Sequence, residues 1–206
     1  LDDASSDGSQ DILEAFAEKH PHCRTHFNAE NSGSPFVQWN RGVEMARGEY
    51  LWIAESDDLA HPDFLQHLVP LMEENTDLGI TYAQSMLIDE EGREMHSYEK
   101  NLRFIYQSDA WQEDFVKAGK EACRDWLLKH NPIPNASGIL MRKSAYLAVG
   151  GADEGMRLNG DWHLYSKILL RYDLGFIAIE LNYFRQHTAS QREKSIKNAS
   201  VYQELI

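Results

Sequence analysis

The segment 49–62 limits what this chain can fold into more than any other. Glu49-Tyr50-Leu51-Trp52-Ile53-Ala54 is a mostly apolar run that breaks off in Glu55-Ser56-Asp57-Asp58, and Pro62 then stands where a helix can open. An apolar run without polar alternation suits a strand buried on both faces, as in a sheet covered by helices. The reading is strand, acidic loop, helix, with the carboxylates at the carboxyl end of the strand.

The flanks repeat this alternation. Ile12, Leu13, Phe16 and Ala17 recur at helical spacing over 9–20, with Ser9 as the N-cap. A short strand over 24–28 leads to the turn Asn31-Ser32-Gly33-Ser34-Pro35. A second amphipathic helix carries Phe36, Val37, Trp39, Val43 and Ala46, and Gly48 stops it. A third runs from Pro62 to about 75. This order predicts an open, largely parallel sheet binding ligands at the carboxyl ends of its strands.

Beyond Gly79 the pattern changes. Segments 80–88 and 94–98 flank Asp89-Glu90-Glu91-Gly92 as a hairpin. There follow an irregular stretch to about 110, a helix near 113–130, a strand over 137–141 and a turn at Gly150-Gly151. A helix over 161–172, strands over 176–179 and 181–187 and a helical tail from about 193 complete the chain. No repeat or linker divides it, so 1–206 reads as one α/β domain.

The net charge of −13 excludes a general nucleic-acid binder, since a phosphate backbone needs a basic surface. No apolar run reaches the roughly 20 residues of a membrane-spanning helix. Cys23 and Cys123 lie far apart and read as free thiols in a reducing compartment. The opening Leu1-Asp2-Asp3 reads as the end of a strand, not a secretory leader, and suggests a fragment of a longer domain.

Three acidic sites fall at strand ends or helix starts: Asp2-Asp3, Glu55-x-Asp57-Asp58 and Asp161, which follows Asn159-Gly160. Carboxylates gathered in one site repel each other and favour a bound cation, and hard oxygen ligands suit Mg²⁺ or Mn²⁺. Such an ion also grips a diphosphate. Helix capping and solvated loops are the alternative. Asp161 reads either as an N-cap or as a carboxylate above the sheet edge able to take a proton from a hydroxyl. His187 ends the strand Tyr183-Phe184-Arg185-Gln186-His187 and reads as a surface histidine or as a metal or phosphate ligand, with Arg185 as a diphosphate or structural partner.

Asp2-Asp3-Ala4-Ser5-Ser6-Asp7-Gly8-Ser9 resembles the DDxSxDGS segment of family 2 glycosyltransferases. Asn31-x-Gly33, Asn40-x-Gly42 and Ala46-x-Gly48-Glu49-Tyr50 continue the likeness. Glu55-Ser56-Asp57-Asp58-x-x-x-Pro62 resembles the DxD region. Gly150-Gly151-x-Asp153-Glu154, Asp161-Trp162 and Arg185-x-His187 resemble the later landmarks, in order over nearly the whole chain.

The resemblance implies a GT-A fold, a mixed sheet flanked by helices, here without its first strand and helix. It assigns 1–90 to nucleotide-sugar binding, 91–190 to the acceptor and catalysis, and 191–206 to a C-terminal helix. Asp3 would hold the nucleotide base. Ser5, Asp7, Asn31, Gly33, Ser56 and Arg185 would line the donor site, with Glu55 near the ribose or the metal. Asp57, with Asp58 and His187, would bind Mn²⁺ or Mg²⁺, and Asp161 would be the general base. The implied reaction is an inverting displacement at the anomeric carbon of a nucleotide-diphosphate sugar, UDP-linked in most relatives. The acceptor would be a saccharide or lipid-linked sugar of a bacterial envelope polysaccharide. The implied location is cytoplasmic, peripheral to the inner face of the membrane.

Departures are specific. Glu55 replaces the first DxD aspartate, Trp39 stands where an arginine is frequent, and Gly160 precedes Asp161 where many relatives carry an acid. If the upstream segment is absent, one wall of the donor pocket goes with it. That predicts weak activity for this chain alone and a dimer through the exposed sheet edge. The stiff segment Asn131-Pro132-Ile133-Pro134-Asn135-Ala136-Ser137 resembles an acceptor-side loop, with Asn135 and Trp162 as acceptor contacts; a rigid connector is the alternative. Trp111 and Trp126 offer sugar-stacking faces, Trp126 at a spacing typical of core. A binding module that has lost turnover is the competing function, favoured by Glu55 and Gly160. The absence of Gly-x-Gly-x-x-Gly opposes a nicotinamide enzyme.

Overall fold

The computed structural model describes residues 1–187; the helical tail expected from about 193 lies outside the described residues. Its elements are α1 (Ser9–Lys19), α2 (Pro35–Met45), β1 (Tyr50–Leu51), β2 (Leu59–Ala60), α3 (Phe64–Glu74), β3 (Leu78–Ile88) and β4 (Glu94–Ser97). Then follow α4 (Glu99–Tyr106), β5 (Phe115–Lys117), α5 (Gly119–Ala122), β6 (Ile139–Arg142), α6 (Lys143–Ala148), α7 (Gly160–Leu169) and β7 (Asp173–Arg185).

Strand periodicity divides the core between two faces. On β6, Ile139 and Met141 join one apolar cluster, while Leu140 joins the other. The larger cluster packs Phe36, Trp39 and Val43 of α2 and Leu164, Tyr165 and Ile168 of α7 against the sheet. The smaller packs Phe64, Leu68 and Met72 of α3. Each fully buried side chain of this size contributes about 1.5–3 kcal/mol.

The strands run in the order β1-β6-β3-β7-β2, with β4 beside β3 and β5 beside β7. Only β3–β7 pairs in parallel within this sheet, so the sheet is mixed and not largely parallel. The late strand β6 enters between β1 and β3, antiparallel to both, so strands joined by helices do not become neighbours. The strand expected over 24–28 reduces to one parallel bridge, Asp2 to Phe27.

Other expectations shift locally. Gly8 (φ 86°), not Ser9, holds the N-cap of α1, and Asp7 Oδ1 accepts from the Ser9 amide and hydroxyl at 3.1 and 2.6 Å. α3 begins two residues after Pro62, which sits in the preceding turn. The irregular stretch before 110 contains α4, and α6 follows β6 unforeseen. The helix expected near 113–130 is replaced by β5, α5 and a π-turn (Cys123–Leu127). There Phe115 pairs with Phe176 and the Gly119 amide donates to Asp173, so sheet pairing overrides helix propensity. The two expected final strands are one, β7, in which two extra residues bulge between the partners of Ala83 and Gln84. Gly150 and Gly151 form the expected turn with φ of 81° and 74°.

Gly160 opens α7 against the ring of Phe36: a Cβ there would lie 2.4 Å from that ring. An acid at this position therefore has no room beside Phe36. Gly160→Ala is expected to cost about 1–3 kcal/mol, a fall in Tm of roughly 4–10 °C by calorimetry. Phe36→Leu in the same chain should return part of it; an unchanged Tm for Gly160→Ala alone would refute the packing account.

Candidate active site

Two polar clusters lie in the loops, one built on Asp3 and one on the segment after β1. The first is built on Asp3. Its Oδ1 accepts from Asn28 Nδ2 (2.7 Å), the Ser32 amide (2.9 Å) and Gln38 Nε2 (2.9 Å), while Oδ2 accepts from Ser32 Oγ (2.7 Å). Burial works to raise its carboxyl, but the Ser32 and Asn28 bonds win and hold it below the ordinary range. Asn31 Nδ2 donates to the Asp3 carbonyl and its Oδ1 accepts from Gly33, whose φ of 76° closes the loop. The Ser5 amide donates to buried Asp2 (3.0 Å), and Asp7 accepts from the Ser9 amide at the start of α1. Asp3, Asn31 and Gly33 thus meet in one loop pair; Ser5 and Asp7 serve the turn leading into α1. Ser34 Oγ donates to the Met156 carbonyl (2.6 Å), which docks the segment leading to α7 onto this loop.

The second cluster is the acidic loop after β1. His187 Nε2 meets Asp57 Oδ2 at 3.0 Å across 130 residues of sequence. Arg185 braces the pair: its Nε donates to the Asp57 carbonyl (2.7 Å) and its Nη1 to the carbonyls of Asp89 and Glu90. Asp58 turns elsewhere, accepting from the Arg185 amide (3.0 Å), Ser137 Oγ (2.8 Å) and Asn135 Nδ2. Burial pushes its carboxyl up, and these donors offset part of that. Ser137 Oγ also accepts from the Glu55 amide (2.9 Å).

Glu55 keeps an exposed surface but lies among protein atoms and other carboxylates. Desolvation first, then Asp58, Asp57 and Asp161, push its carboxyl up to about 7. Asp161 therefore shares the field of the acidic loop. It occupies the first turn of α7 behind Asn159, which holds the N-cap position assigned to Asp161 as one sequence alternative. Tyr165, one turn further, is fully buried, and its hydroxyl has no partner among the described residues. Burial foremost, and then Asp161 and Glu55, raise it well above its ordinary value. Ser56 is exposed at the tip of the loop.

Asp161 and Trp162 line a small cleft with Tyr98, His130, Asn131 and Pro134. Asn135 is 5% exposed, and both ends of its amide bond within the protein. Trp111 is core, its Nε1 donating to Tyr82 Oη at 2.6 Å, and Trp126 packs against it. A shallow depression of about 470 Å³ lined by His96, Lys100, Asn101 and Phe104 offers no carboxylate and none of the predicted residues.

Among the described residues no group of three or more His, Cys, Asp or Glu side chains is arranged to hold a metal. The donor set is one carboxylate and one imidazole. The Asp57 carboxylate offers the hard oxygen that Mg²⁺ or Mn²⁺ prefers, with phosphate and water to complete such a shell, and the His187 imidazole is a softer donor beside it. Sequence reasoning missed Asn28, Ser32, Gln38, Ser137 and Asn182. For Asn182 a signal existed, an amide in the middle of an apolar strand. Both cysteines are free, and no described helix is long and apolar enough to cross a membrane.

Known proteins agree with this architecture. A crystal structure of S. aureus TarS 1-349 in complex with UDP-GlcNAc superimposes with a TM-score of 0.69 at 14% identity, over 93% of this chain and 50% of that one. Putative glycosyltransferase EpsH of Bacillus subtilis is 33% identical over 57% of this chain and 32% of its own length. Glycosyltransferase GlyG of Streptococcus pneumoniae is 24% identical over 92% of this chain and 61% of its own length. The chain thus spans between a third and three-fifths of these two relatives. Residues 1–149 match the model of Glycosyl transferase family 2, and the chain belongs to that family.

Proposed function

We propose that the protein transfers a sugar from a nucleotide diphosphate to a hydroxyl acceptor, with inversion, and that Asp161 is the base. The observation that carries this is the contact of Asp57 with His187, together with the action of both Asp57 and Asp161 on the Glu55 carboxyl. TarS, which shares the fold, was solved with UDP-GlcNAc, and a UDP-sugar is the donor we assign. Asp3, with Oδ2 carrying a single protein donor, is the acceptor for a nucleobase N–H. Asp57 and His187 would hold Mn²⁺ or Mg²⁺, which would supply neutralisation of the charge on a departing diphosphate. Asp58 shapes the loop from outside the metal shell. Asp161, beside the cleft lined by Trp162, takes the proton of the attacking hydroxyl. The acceptor is a saccharide or lipid-linked sugar. A dimer through the sheet edge and a place at the cytoplasmic face of the membrane belong to the same reading.

Asp161→Asn should lower kcat by about 10²- to 10⁴-fold while UDP affinity by calorimetry stays within a few-fold. Retained turnover would remove Asp161 from the role of base. Asp57→Ala should abolish the gain in UDP affinity that Mn²⁺ gives the wild type, and chelation of the metal should reproduce that loss. UDP binding indifferent to Mn²⁺ in the wild type would sink the metal assignment.

A further inference from the structure

A polar circuit runs through the core and returns to the strand it leaves. Asn182, fully buried on β7, donates through Nδ2 to Ser85 Oγ on β3 and to Asn135 Oδ1, both at 2.8 Å. Asn135 donates in turn to Asp58 Oδ2, and Asp58 Oδ1 accepts from the amide of Arg185, three residues along β7 from the start. Gly138 closes against this path: a Cβ there would lie 3.1 Å from Asn182 Nδ2.

We propose that Asn182 and Asn135 are positioning residues, a buried amide relay that sets the distance between Asp57 and His187. Asp57 adjoins the carboxylate that the relay holds. His187 lies two residues beyond the amide that the same carboxylate fixes. The circuit therefore ties both halves of the pair to one strand. The carbonyl oxygen of Asn182 supports this reading, because it is buried without a partner among the described residues. An apolar side chain of the same size would avoid that desolvation cost, so the amide is retained for its donors. The inference rests on the reading of Asp57 and His187 as the diphosphate end of the donor site.

The test compares Asn182→Leu with Thr81→Val, a buried polar-to-apolar change whose hydroxyl bonds Met72 outside the circuit. Hydrogen exchange of the full chain without ligand should show faster exchange at the Glu55 and Arg185 amides in Asn182→Leu only, with the β3 and β6 amides unchanged. UDP affinity with Mn²⁺ and kcat should fall by about 10- to 100-fold in that variant, and neither in Thr81→Val. Equal exchange in both variants, or undiminished UDP binding in Asn182→Leu, overturns the relay. If Asn182→Leu does not fold, Asn135→Ser cuts the circuit at its second member, in the buried segment before β6, and carries the same expectations. A wild type that ignores UDP sinks the assigned function, and the exchange data alone then decide the relay.

Discussion

The carboxylate of Asp58 is the joint on which this edge of the molecule turns. It gathers donors from three segments distant in sequence: the β7 amide of Arg185, the hydroxyl of Ser137 and the amide of Asn135. Hydrogen bonds to a charged acceptor contribute about 1.5–3 kcal/mol each, before the cost of burying the charge. The acidic loop needs them, because β1 and β2 on either side are two residues long. Side-chain bonds here replace the ladder that longer strands would provide.

That anchoring permits an unfavourable concentration of charge. Asp58, Asp57 and Asp161 all act on Glu55 in a chain already carrying −13, and the rise of Glu55 to about 7 expresses desolvation first and then their repulsion. Arg185, which braces this loop, does little to relieve it. Arg185 directs Nε and Nη1 at three backbone carbonyls, so it serves as a brace more than as a phosphate clamp. Under the proposed reading, a diphosphate here would be neutralised largely by an ion held at Asp57 and His187.

How much of this is legible in the sequence depends on how local each feature is. The acidic loop was legible because Glu55 to Asp58 directly follow an apolar run, and the alternation of helices and strands gave the fold class. Strand direction was not, because β6 inserts between β1 and β3 from ninety residues downstream. The contact of Asp57 with His187 could be anticipated only through ordered motifs resembling a family. Asp58 looked like one more ligand because its partners are amides, a hydroxyl and a main-chain N–H, none of which stands out in sequence. Residues 113–130 read as helix on propensity, and pairing with β7 overruled it.

The two ends of the inferred donor groove are supported unequally. At the Asp58 end, a buried circuit links β3, β7 and the turn before β6. At the Asp3 end, α1 buries none of its residues, and Ile12 and Phe16 stand 71% and 53% exposed. An amphipathic helix gains its stability by covering its apolar stripe, and this one is tied through Gln10 to Asp2, which itself bridges to Phe27. Local opening free energy follows buried contact, which places the easier opening at the Asp3 end.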